Sequence, residues 1–184
     1  MVEVPLGMTL EQVIYDIAGG VPNGKALKLL QTGGPLGGVL RADKLSIPLD
    51  FDAMAKAGAI LGSGGIIAAD EDTCAVDLTR SLIAFCQFES CGKCFPCRLG
   101  MIHLLDILER ICSFEGTSSD LELMKEVGQN MQVGSLCGHG QLGFNPVSSA
   151  LQYFREEFES HIYGKQCLTG RCQEQRFSPQ RSRR

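Results

Sequence analysis

Apolar positions follow two rhythms along the chain, and the change falls near Cys74. Before it, the apolar runs are short and broken by glycines. "MVEVPL" alternates and predicts a strand. Thr9 is placed to cap a short helix over "LEQVIYDIAGG", whose Leu10, Val13, Ile14 and Ile17 share one face and whose glycines end it. "KALKLLQTGG" reads as a strand entering a glycine turn. "AGAILGSGGIIAAD" reads as two apolar runs folded about "GSGG", a hairpin or tight strand connection. Four or five short strands with one helix make a small α+β unit.

Beyond Cys74 the spacing turns helical. "DLTRSLIAFCQFES" carries a helical apolar stripe, and "CFPCRLGMIHLLDILERICSFEG" carries Leu99, Ile102, Leu105, Ile107, Leu108 and Ile111, largely at helical spacing. "SSDLELMKEVGQNM" begins on Ser119 with Glu122 three residues on, a capping-box pattern. "PVSSALQYFREEFESHI" has Pro146 in its first turn and Val147, Leu151, Phe154 and Phe158 as a stripe. These segments predict a bundle of about four helices. The chain therefore divides into a strand-bearing part (1–76), a helical bundle (77–162) and a cysteine-containing tail (163–184). The tail ends in the basic "RFSPQRSRR", expected to be disordered.

Composition narrows the class without altering this picture. The 184 residues are 44% hydrophobic and 21% charged, as in an ordinary globular protein. A net charge of −4 gives no global attraction to nucleic acid or to an anionic membrane. No apolar run approaches the ~18 residues of a spanning helix, and no basic segment precedes an apolar core at the start. The expected location is the cytoplasm, or the cytoplasmic face of a membrane complex, with no direct membrane insertion and no nucleic-acid partner.

The cysteines change the picture. There are nine, an odd number, and they are clustered. In an intracellular chain this pattern favours metal over a disulfide framework. "ESCGKCFPCRLG" sets Cys91, Cys94 and Cys97 two residues apart. Such a run wraps one face of a cubane [4Fe–4S] cluster, whereas a zinc knuckle needs one pair and finds its other ligands elsewhere. The bacterial ferredoxin continuation C-x3-C-P is missing, so the fourth ligand is remote. Cys137, in the glycine-flanked "GSLCGHGQLG", is the best candidate. Cys86 and Cys112 fall on apolar helix faces and read as small buried hydrophobes. His139 is a harder donor than Cys137 and suits the cluster less. Lys93 and Arg98 either offset the negative charge of a thiolate-bound cluster or are plain surface charges.

A second group consists of Cys74, His161, Cys167 and Cys172. "HIYGKQCLTGRC" brings three of them together in sequence, and Cys74 lies at the junction of the two textures. Three cysteines and a histidine make a zinc stoichiometry. The competing reading is two loose tail thiols, or a disulfide formed on oxidation.

"ESCGKCFPCRLG" followed by "SLCGHGQLGFNPVSSALQYFREEFESHI" resembles the C-terminal part of the family of complex I flavoprotein subunits. It is also similar to the diaphorase (beta) subunits of soluble NAD(P)-linked hydrogenases and formate dehydrogenases. "LLQTGGPLGGVL" and "LDFDAMAKAGAILGSGGIIAADEDTCAVD" resemble the SLBB domain, a ubiquitin-like β-grasp module. The resemblance implies that Cys91, Cys94, Cys97 and Cys137 hold one [4Fe–4S] cluster that exchanges single electrons with a flavin. The tail is most similar to the soluble branch, which supports a metal site on Cys74, His161, Cys167 and Cys172, although Leu168 and Thr169 replace the proline and alanine of that branch's "CPAG". "GGPLGG" matches the SLBB turn and lacks the lysine and order of a phosphate loop. The large FMN- and NADH-binding domain of the family has no counterpart here, so FMN and NAD are expected on a partner chain or a missing domain. The expected role is a non-catalytic electron-relay subunit joined to a flavin-binding subunit and other iron–sulfur subunits. A structural adaptor, whose β-grasp module docks partners and whose metals only stabilise the fold, is the alternative.

Overall fold

The computed structural model describes residues 1–173; the basic end of the tail lies outside the described residues. The α+β expectation holds as a small antiparallel sheet joined to a larger set of helices. β1 (Leu27–Thr32) is central, between β2 (Val39–Arg41) and β3 (Ile66–Asp70). Neighbouring residues of β1 point to opposite faces, and both faces are covered. Leu29 and Val39 pack against the helices. Leu30 and Leu40, paired in register, pack with Leu10, Ile14, Leu49 and Met54 on the other side.

Three sequence expectations need correction here. "MVEVPL" forms no strand; pairing begins just after it, where Gly7 N–H donates to the Leu49 carbonyl and Leu49 N–H to that of Met8. Pro5 has no N–H to offer a ladder. The helix capped by Thr9 does start as expected, with Thr9 and Gln12 exchanging hydrogen bonds. It then widens into a π-turn over Gln12–Ile17. The extra residue rotates Ile17 off the buried face, leaving it 40% exposed. Finally, "GSGG" closes no hairpin. Ile66–Asp70 pairs with β1, while Ile60 N–H bonds to the Gly37 carbonyl. The sheet thus has three strands among the described residues, fewer than expected.

α1 (Phe51–Lys56) is capped by Asp50, whose carboxylate accepts from the N–H groups of Asp52 and Ala53. α2 (Ala75–Phe88), α3 (Phe95–Cys112) and α4 (Ser118–Gly134) form the body of the bundle. α5 (Gly138–Leu142) is short, and the predicted last helix is broken at Phe154 into α6 (Asn145–Tyr153) and α7 (Arg155–Ile162). The break, with Phe154 at φ −133° and ψ 29°, keeps Phe154, Phe158 and His161 all buried. The sheet is fastened to the bundle by side chains: Ser149 Oγ accepts from Val39 N–H at 2.9 Å, and Tyr153 OH donates to the Ala57 carbonyl at 2.8 Å.

The capping box of α4 is Thr117 with Asp120, not Ser119 with Glu122. Asp120 is buried and also accepts from Arg110 of α3, whereas Glu122 is exposed and pairs with Lys125. Burial alone would raise the Asp120 pKa, but the Thr117 N–H and the Arg110 guanidinium outweigh it and hold the carboxyl below its ordinary value. A depressed folded-state pKa contributes stability above the unfolded value of about 3.9 and loses it as pH falls through the folded value. Asp120→Ala is therefore expected to cost about 1–2 kcal/mol at neutral pH. Urea titrations should show the gap to the parent protein closing below about pH 4.

Candidate metal centres

Cys91 sits in the loop after α2, where Gly92 turns the chain at φ +69°, a conformation that glycine adopts without strain. Arg98 donates to the Gly92 carbonyl at 3.2 Å and clamps this loop. Cys94 is the N-cap of α3, Cys97 lies in its first turn, and Cys137 is the N-cap of α5. The four cysteines line one cavity of about 170 Å³ with Glu89, Lys93 and His139. Local sequence therefore sets three cysteines at one helix start, and the α4–α5 turn brings up the fourth.

The surroundings suit bound thiolates. Backbone N–H groups of Leu136 and Cys97 hold the Cys94 pKa below its ordinary value. The start of α3 adds the positive end of a helix dipole. Burial pushes the Cys97 thiol up, and its neighbours Cys94, Cys137 and Cys91 push it further, so the group as thiolates calls for a positive partner. The hydroxyl of Ser135 is buried, makes no well-formed hydrogen bond to nitrogen or oxygen, and helps to hold the Cys94 pKa down. It lies beside Gly140, where a Cβ would stand 2.4 Å from Ser135 Oγ and 2.8 Å from Cys97 Cβ. Soft donors, inward N–H groups and a buried hydroxyl fit an iron–sulfur cluster.

The same closeness gives a prediction. Gly140→Ala forces Ser135 or Cys97 to move, at a cost of about 1–3 kcal/mol. Bound iron and sulfide per chain should fall, as measured by metal and acid-labile sulfide analysis.

The rejected donors are occupied otherwise. His139 Nε2 donates to the Cys86 carbonyl at 2.9 Å. Cys86 is buried and its thiol is pushed up to about 12, first by burial. Cys112 is buried in the same core. Lys93 reaches the cavity wall.

The second group also converges. The ligand atoms of Cys74, His161, Cys167 and Cys172 all lie within 4.8 Å of one another, and all four residues are buried. His161 Nε2 is 3.6 Å from Cys74 Sγ and 3.4 Å from Cys172 Sγ, and the two sulfurs are 3.7 Å apart. Zinc bonds of about 2.3 Å to sulfur and 2.0–2.1 Å to nitrogen make tetrahedral edges of about 3.5–3.8 Å. These three atoms already stand at such edges. All three cysteines are free thiols here, and the Cys74 and Cys172 sulfurs stand well beyond the about 2.05 Å of an S–S bond. His161 Nδ1 donates to the Glu157 carbonyl at 2.7 Å, which leaves Nε2 as the nitrogen with a free lone pair. Hydrogen bonding from Cys172 and burial push the Cys74 thiol upward, so thiolates here need a cation.

Glu157 was not foreseen in the sequence. Its carboxylate accepts from Ala75 N–H at 3.0 Å and pairs with Lys28 at 2.8 Å. It thereby ties β1 and the start of α2 to the histidine-bearing helix. Within "REEFES" it looks like one more solvent-facing acid; the only cue was its position one turn before His161. Ser90 and Ser135 were also missed, having only their nearness to Cys91 and Cys137 to mark them.

The structure thus gathers two separate donor groups, four cysteines around one cavity and a buried Cys3His set, at opposite ends of α2. Residues 77–161 match the NADH-ubiquinone oxidoreductase-F iron-sulfur binding region. The NADP-reducing hydrogenase subunit HndC of Solidesulfovibrio fructosivorans is 42% identical over 94% of this chain and 35% of its own length. The NADH-quinone oxidoreductase-F protein of Streptomyces coelicolor is 38% identical over 90% of this chain and 36% of its own. Among solved structures, an NAD+-reducing [NiFe]-hydrogenase superposes with a TM-score of 0.76 at 28% identity, over 86% of this chain and 26% of that one. The chain thus resembles the C-terminal part of the complex I flavoprotein and hydrogenase diaphorase subunits, as read from the sequence. It spans about a third of the length of these curated relatives. Among the described residues, no helix is long and apolar enough to cross a membrane.

Proposed function

We propose that the chain is a cytoplasmic electron-relay segment of an NAD(P)H-linked oxidoreductase of the hydrogenase, formate dehydrogenase or complex I kind. Cys91, Cys94, Cys97 and Cys137 hold its single [4Fe–4S] cluster; Cys74, His161, Cys167 and Cys172 hold zinc. The convergence of four cysteines on one cavity inside the matched iron–sulfur region supports this reading most strongly. Such a cluster, when bound, supplies a one-electron couple that complements the two-electron chemistry of a flavin.

The chain's own residues do the rest. The N–H groups of Leu136 and Cys97 and the α3 dipole stabilise thiolate charge at Cys94. Cys97 belongs to the same apolar core as Met101, Leu104, Met131 and Phe144, so one ligand anchors the site to the bundle interior. Phe88, Phe95, Val133 and Leu136, close in sequence to the four cysteines, are 81%, 65%, 87% and 82% exposed. Exposure of large apolar groups there fits the approach of a partner surface. FMN and NAD(P)H are assigned to a flavin-binding partner or further domain, and onward transfer to other iron–sulfur subunits. Residues 1–76 serve as the β-grasp docking module, 77–162 as the cluster domain, and the zinc pins the tail that follows.

Dithionite reduction under EPR tests the relay. A signal of a reduced cubane that also appears on reduction through a flavoprotein partner supports it. A redox-silent protein holding only zinc supports the adaptor reading instead.

A further inference from the structure

Two serine hydroxyls lie close to the sulfurs of the cysteine-lined cavity. Ser90 Oγ is 3.5 Å from Cys97 Sγ. Its oxygen accepts from Gly92 N–H at 3.3 Å, which leaves its O–H free to donate elsewhere. A cysteine that ligates iron carries no proton, so in that contact the serine O–H is the group that donates. Ser135 is 5% exposed; its hydroxyl makes no well-formed hydrogen bond to nitrogen or oxygen, and what it interacts with is the Cys94 sulfur, whose pKa it helps to lower. It faces the same site between Gly140 and the side of Cys97, next to Leu136, whose N–H serves Cys94. Leaving a buried hydroxyl unpaired costs about 1–3 kcal/mol, whereas a thiolate or sulfide acceptor would satisfy it.

We propose that Ser90 and Ser135 set the reduction potential of the cluster by donating hydrogen bonds to its sulfur shell. This rests on the reading of Cys91, Cys94, Cys97 and Cys137 as cluster ligands. The physical reason is charge. Reduction adds an electron that is spread partly over the sulfurs, and a donor aimed at a sulfur stabilises the reduced form more than the oxidised one. Both serines therefore make the cluster easier to reduce. They are positioning residues, acting through the ligand sulfurs, and the chain uses them to keep the cluster reducible by its donor.

The test is an EPR-monitored redox titration of the reconstituted full chain, comparing the parent with Ser90→Ala, Ser135→Ala and the double variant. Ser148→Ala is the control, since Ser148 Oγ donates to the Asn145 carbonyl away from the cavity. Each cavity variant should shift the midpoint to a more negative value. In the double variant the reduced-to-oxidised ratio at fixed potential should fall about tenfold, equivalent to about 59 mV for one electron. Ser90→Thr, which keeps the hydroxyl, should restore the parent value. In D2O-exchanged protein, pulsed EPR should lose the exchangeable deuteron couplings assigned to the two hydroxyls. Iron and sulfide content should stay at the parent level throughout. Unchanged midpoints and couplings with full clusters would overturn the proposal while leaving the cluster assignment intact. A parent chain that binds no cluster would instead overturn the assignment itself.

Discussion

Replacing Cys94 by serine is expected to remove nearly all bound iron and sulfide while leaving zinc in place. Cys94 is the hinge of the cysteine run: it caps α3, and its sulfur gathers N–H groups from Cys97 in its own helix and from Leu136 across the turn. Serine keeps the cap, since its hydroxyl is a good N-cap group, so α3 should still begin in the same place. What it lacks is the soft, readily ionised sulfur that iron–sulfur chemistry selects. Cys137→Ser should behave in the same way, although Cys137 lies on a different segment. Agreement between the two would show that one site draws on both. Cys86→Ser is the contrast, because Cys86 is buried on α2 with its carbonyl, not its sulfur, engaged by His139. Its cluster content should stay near the parent value, with a loss of stability of about 1–3 kcal/mol from the buried hydroxyl.

Loss of the Cys3His group should act on the fold rather than on the redox centre. His161→Ala deletes a fully buried imidazole that stacks on Phe114 and bonds the Glu157 carbonyl. It also takes away one of the four converging donors. Because structural zinc contributes its binding energy to folding, several kcal/mol should be lost, lowering the melting temperature by on the order of 10 °C. A strong chelator should reproduce the effect on the parent chain and do little to the variant. Acidification should too, since protons compete with zinc for the thiolates and the imidazole: retention is complete at high pH and is lost as pH falls. Calorimetry with and without chelator, across pH, measures both. Equal melting temperatures with and without chelator in the parent would contradict a structural metal.

The cysteines were legible because their message is local. Spacing by two residues fixes three thiols at one helix start whatever the rest of the chain does, and glycines flag the loop that carries Cys137. The helices α2, α3 and α4 were equally readable, since 3.6-residue periodicity survives any tertiary arrangement, but on α3 the buried face runs through Met101, Leu104, Ile107, Leu108 and Ile111, and Ile102 of the stripe read from the sequence is exposed. What stayed hidden depended on contacts between distant segments. Thr117 displaced Ser119 as a cap because Arg110, on another helix, rewards Asp120. The break at Phe154 interrupts an unbroken apolar stripe and has no proline or glycine to announce it. β3 chose β1 over its sequence neighbour, a decision made by packing and not by the "GSGG" turn. Glu157 and Lys28 meet across more than half the chain, and neither looks buried when read alone.

The claim at the centre is a cubane cluster and a separate zinc in one chain. Iron, acid-labile sulfide and zinc analysis of the anaerobically purified protein tests it most directly. About four iron, about four sulfide and about one zinc per chain are predicted from the two donor sets. Two zinc ions with no sulfide, or iron that binds equally well to the Cys94→Ser chain, would contradict it.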